Sequence, residues 1–111
     1  MLRVLFLIGA LCATFHSAAA QQFVLKDFTG AGAVWVWKDK AAHDEAMQLI
    51  NAGVHKTNPM MVMVLVACIV DPGTKIIMKD MGFVTHDIMI VEGPKAGCRG
   101  NIPAEALGSQ R

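Results

Sequence analysis

The chain has no tyrosine, and aromatic residues make up only 6% of its 111 positions. Aromatic recognition therefore rests on two tryptophans and five phenylalanines. There is also no excess of one charge. The formal net charge is +1, and without Arg3 near the start the basic and acidic side chains balance. A nucleic-acid binder would need a basic excess or stripe, so that class is excluded. A polybasic membrane anchor is excluded on the same ground. No apolar run reaches the roughly 20 residues that a helical membrane span requires. No Cys-x-x-Cys pair is present, which removes thioredoxin-type redox chemistry. No Gly-x-Ser-x-Gly elbow, internal repeat or low-complexity segment occurs.

What is present begins with a three-part leader. Arg3 supplies a positive start, Val4 to Phe15 an apolar run, and Ala18-Ala19-Ala20 a small-residue cleavage site. Residues 1–20 thus read as a cleaved signal peptide, with Gln21 as the mature N-terminus. The expected location is secreted or periplasmic, with no stable membrane anchor once the leader is gone. Cys12 does not mark a lipoprotein, because the bulky Leu11 stands where a small residue is needed. The remaining residues are about half apolar, an ordinary globular composition, and suffice for one small domain.

That leaves Cys68 and Cys98. In an oxidising compartment an even pair in a small domain is most simply a disulfide. It would close a loop of about 30 residues, worth roughly 3–4 kcal/mol in the chain-entropy model. Two inert buried thiols or a half-formed metal site are the competing readings.

Gln21 to Ala33 lacks periodicity and reads as an extended lead-in. Val34-Trp35-Val36-Trp37 alternates β-branched and aromatic residues and reads as a short strand. Asp39 is a good N-cap for a helix running from Lys40 to Ala52. Ala42, Ala46, Leu49 and Ile50 lie on one stripe of that helix, and Gly53 fits the left-handed position that closes it. Val54 to Pro59 reads as a polar connector. The unbroken apolar run Met60–Val70 reads as one strand ended by the Asp71-Pro72-Gly73 turn. With both faces apolar it needs cover on both sides, one from a barrel or sandwich core and the other from the helix. Strands over Thr74–Met78, Ile88–Glu92 and Cys98–Ile102 follow, with a loop around Gly82 and a turn at Gly93-Pro94 to Gly97. Pro103 to Ala106 suits a single helical turn.

The segment Gly97-Cys98-Arg99-Gly100-Asn101-Ile102-Pro103-Ala104-Glu105-Ala106-Leu107 resembles the closing part of Src-homology-3-like barrels, in particular the bacterial secreted versions. There a Gly-x-x-Gly turn, an apolar strand residue and a proline lead through a short helical turn into the last strand. Gly73-Thr74-Lys75-Ile76 and Val91-Glu92-Gly93 are similar to strand starts and ends in the same family. The resemblance spans roughly residues 62–107. It implies a mainly β fold, a small barrel of about five strands with one helix packed against it, and a habit of binding peptides or cell-wall components. Polyproline binding is not implied, since tyrosine is absent and Asn101 stands where a tryptophan often follows the second glycine. On this reading residues 21–38 are the lead-in and first strand, and 39–107 the helix and barrel of the same domain. Residues 108–111 form a frayed tail.

Trp35 and Trp37 share a strand face, so they form either core or a platform for a peptide or sugar ring. Phe83, Arg99 and Asn101 sit in or next to expected loops, where recognition residues gather. These five are the candidate ligand-binding residues. His43, His55 and His86 lack the i, i+4 spacing of a metal pair and read as surface residues. No catalytic set, cofactor motif or metal-ligand set emerges, so the expected protein is a non-catalytic interaction module. Its partner would be a peptide, a cell-wall glycan or another protein, with no nucleic acid. The alternative is a small periplasmic metal-handling protein, in which thioethers such as Met61 and Met63, sharing a strand face, and histidines take Cu(I). An apolar strand over Met60–Val70 can also pair between chains.

Overall fold

The structure, a computed structural model, describes residues 22–109. The expected signal peptide with Cys12, the expected terminus at Gln21 and the last two residues lie outside that range. Among the described residues the chain runs β1 (Gln22–Leu25), β2 (Val34–Trp37), α1 (Lys40–Asn51), α2 (Val54–Thr57), α3 (Met60–Met63), β3 (Val66–Val70), β4 (Lys75–Asp80), β5 (Thr85–Ile90), β6 (Arg99–Pro103), a 3₁₀ turn (Ala104–Ala106) and β7 (Leu107–Ser109). The strands form one antiparallel seven-stranded sheet in the order β3-β2-β6-β5-β4-β1-β7. The mainly β expectation holds. The sheet is open, however, with β3 and β7 as its edges, and it has seven strands where a small barrel of about five was expected.

The helix forms where its signals lie. The Asp39 carboxylate accepts from the Ala42 backbone N–H at 2.7 Å, and Gly53 follows with φ 79°. β2 shows why the domain has two apolar layers. Its side chains alternate, so Val34 and Val36 enter an aliphatic core with Ile76, Ile88, Ile90 and Ile102. Trp35 and Trp37 point to the other face, where Ala42, Ala46 and Val62 pack against them.

Three expectations need correction. Met60–Val70 is not one strand. Pro59, with φ −62°, starts a helical turn at Met60–Met63, and Val62 drops into the layer beneath α1. Only Val66–Val70 remains a strand, so the helix covers β2 and the start of β3 rather than a long hydrophobic ribbon. Secondly, the connector before Pro59 contains the helical turn α2. Thirdly, both ends of the domain are ordered in the sheet. Phe23 of β1, in the supposed lead-in, pairs with Ile76 of β4 on one side and Ser109 of β7 on the other. The tail at Gly108-Ser109 is therefore a strand, reached through the 3₁₀ turn.

Cys68 and Cys98 form a disulfide with a Cα–Cα distance of 6.7 Å. It ties the edge strand β3 to the segment entering β6, with β2 between them in the sheet. At Gly100 any side chain would collide with the Trp37 carbonyl and the Val36 side chain. This close approach of β6 to β2 is what joins the helix-bearing half to the rest of the sheet. No helix among the described residues is long and apolar enough to cross a membrane.

Candidate functional site

A groove of about 500 Å³ lies on the tryptophan face of β2. Trp35 and Trp37 are on its floor, with ring centroids 5.8 Å apart and planes tilted by 46°. One wall is α1, through His43, Met47 and Ile50. The other is the loop after β1, through Lys26, Phe28 and Ala31, and Val84, Pro103 and Glu105 also line the groove. Trp37 is buried and Trp35 half-buried, so the pair is core and groove floor at once.

The loop wall is built by one side chain. Asp27 Oδ1 accepts from the N–H of Gly30 at 2.9 Å and of Ala31 at 3.2 Å, and from the Thr29 hydroxyl at 3.2 Å. Its Oδ2 accepts from the Gly32 N–H at 2.7 Å. The Gly32 N–H is the main cause of an Asp27 pKa below its ordinary value of 3.8, opposed by desolvation and assisted by the other donors. The loop is thus wrapped around a carboxylate and presents Phe28 at the groove. The opposite wall carries His43, whose Nδ1 lies 3.0 Å from Asp44 Oδ1. Asp44 is also lowered, first by its hydrogen bond from Lys40 and then by His43.

A smaller pocket of about 210 Å³ lies nearby, lined by Lys40, Asp80, Gly82, Phe83, Val84, Thr85, Asp87 and Asn101. Asp80 and Asp87 face each other across β4 and β5. Asn101 Nδ2 donates to Asp87 Oδ1 at 2.8 Å, while Asn101 Oδ1 has no protein partner among the described residues. Val84 lines both cavities.

The five candidate residues therefore do not converge. Trp35 and Trp37 share the groove, whereas Phe83 and Asn101 line the small pocket and Arg99 lines neither. Asn101 lies within β6, in the strand expected over Cys98–Ile102. It is buried on β6, opposite Trp37 of β2 and Asp87 of β5. Two of the three supposedly surface histidines are also buried: His43 on α1 and His86 in β5. Met61 and Met63 share no strand face, since both lie in the helical turn α3. Among the described residues no group of three or more His, Cys, Asp or Glu side chains is placed to hold a metal ion.

Sequence reasoning missed Phe28, His43, Met47, Ile50 and Val84 as groove residues. One signal was available for the loop, because Asp27 followed by Thr29, Gly30 and Gly32 has the composition of a side-chain-capped turn. Compared with family models, with curated proteins and with solved structures, the chain matches none.

Proposed function

We propose that this chain is a secreted or periplasmic, non-catalytic interaction module whose groove takes an apolar segment of a peptide or protein partner. The observation that carries the reading is the lining of the groove. Trp35, Trp37, Phe28, Met47, Ile50 and Val84 form its apolar surface, with the charges of Lys26, Asp27 and Glu105 among its other lining residues. Ligand pockets of this kind are mostly apolar with a few placed polar groups. A sugar ring would call for more hydrogen-bonding groups beside the indoles, so an apolar side chain is the better fit than a glycan.

Connectivity supports the Src-homology-3-like reading in an elaborated form. A first strand, β1, is followed by a long insertion that holds β2, α1 and β3. The meander β4-β5-β6, a 3₁₀ turn and a last strand back beside β1 complete the path. The leader and the disulfide support export.

The test is a titration of the exported protein with a displayed peptide library, read by tryptophan fluorescence. Peptides with aromatic or large aliphatic anchors should shift the emission. Trp35→Ala should weaken the best of them at least tenfold, about 1.4 kcal/mol, while the circular dichroism of the sheet is retained. Binding of cell-wall oligosaccharides with no peptide response would overturn the peptide assignment. An intact mass beginning at Gln21, unchanged by alkylation under denaturing conditions, is the expected result for export and the disulfide together.

A further inference from the structure

Beside the groove the chain holds out an apolar knob. Met81, Phe83 and Val84, at the tip between β4 and β5, are 63%, 98% and 65% exposed. The tip is fixed in place. Gly82 N–H donates to Nδ1 of buried His86 at 3.1 Å, and a side chain at Gly82 would strike the Thr85 carbonyl. Beyond it the Val84 carbonyl accepts from the Ala104 N–H at 2.8 Å. Large apolar side chains are thus presented to water by a built turn. Phe28, 48% exposed, also lines the groove, so knob and groove form one continuous apolar surface with Val84 common to both. A patch of this extent marks an interaction surface.

We propose that the occupant of the groove is a second copy of this chain, with Phe83 of each protomer inserted between Trp35, Met47 and Phe28 of the other. The inference rests on reading the groove as a binding surface and adds the identity of the partner. Knob and socket are neighbours on one face. Two copies meeting about a two-fold axis near Val84 therefore exchange both contacts at once and close as a dimer, where a knob remote from its socket would build an open chain. The area is adequate. Phe28, Met81, Phe83 and Val84 expose on the order of 500 Å², and the groove walls bring this toward the roughly 800 Å² per partner of a standard interface. Charge is compatible with self-pairing as well. Lys26 and Glu105 line the groove while Lys79 and Asp80 flank the tip, so each copy offers both signs to the other.

The test is sedimentation velocity on the disulfide-bonded exported protein, from low micromolar to several hundred micromolar. A reversible dimer is expected. Phe83→Ser removes the knob without touching the core, and Met47→Lys blocks the socket. Each alone should weaken association by roughly a hundredfold, since both symmetric contacts are lost. An equimolar mixture should regain about tenfold, because the heterodimer restores one knob in one socket. A wild-type protein that stays monomeric overturns the proposal, as does Phe83→Ser dimerising normally or a mixture with no recovery. If such a monomer still binds apolar peptides through Trp35, self-pairing falls and the groove reading stands. If it binds neither peptides nor itself, both fall. A monomer that uses Phe83 to hold lipid vesicles likewise overturns self-pairing.

Discussion

The two faces of β2 look onto very different layers. On one side Val34 and Val36 join an isoleucine-rich core whose central members are fully buried. On the other, Trp35 and Trp37 meet a helix whose contacts are mainly alanine, and the layer stays open as a groove. The same four-residue strand serves a finished interior and an unfinished one. Small residues on α1 bring the helix close to Trp37 at Ala42 and Ala46. Toward its C-terminal end Met47 and Ile50 stand off and leave space. Stability should therefore reside in the first layer and recognition in the second.

Substitution in each layer tests that division, and the largest effect is expected in the aliphatic core. Ile88→Ala should cost about 2–5 kcal/mol in denaturant unfolding, because a buried side chain is replaced by a cavity. Met47→Ala, already bordering empty space, should cost under about 1.5 kcal/mol while weakening peptide binding or dimerisation. Equal losses at the two positions would erase the distinction. Next comes the disulfide. Replacing Cys68 and Cys98 together by alanine should cost about 3–4 kcal/mol, from loop entropy released to the unfolded chain. Hydrogen exchange should then rise first in β3, which the sheet holds only through β2.

The smallest effect concerns the groove wall. Asp27 has a folded pKa below 3.8, so its contribution to the loop is present above that value and lost as pH falls through the lower folded pKa. The amide resonances of Gly30, Ala31 and Gly32 should shift together below about pH 3.8, before the core responds. Asp27→Asn should remove that titration and leave the stability of the aliphatic core unchanged. If the core melts in step with the loop, the two regions are not independent.

Much of the fold was legible in the sequence where signals are local. Asp39, the alanine stripe and Gly53 mark α1 almost to the residue, and the two cysteines beyond the expected leader admit one bridge. The failures share a cause. β1 and β7 are short, and what makes them strands is pairing with each other, and of β1 with β4, across most of the chain length. Met60–Val70 is uniformly apolar, and its division depends on Pro59 and on the space for Val62 beneath the helix. Trp35 and Trp37 were legible as a pair on one face because strand alternation is local. The rest of the groove was not, since Phe28, Met47 and Val84 come from three separate elements and meet only after folding. The strand around Asn101 was legible, but its burial was not, because Gly100 is what lets β6 approach β2.

The pairing of Phe23 with Ser109 sets how the molecule would yield to force. The two strands run antiparallel, so the start of β1 lies beside the end of β7. A pull on the two termini would load their ladder from one end and open it bond by bond, the weak direction of a zipper. Extension would then reach the Cys68–Cys98 bridge and stop short, because the chain between the cysteines is shielded from tension. Under traction this domain would act as a strap whose reach is set by the two arms outside the bridge, with the loop between the cysteines held in reserve.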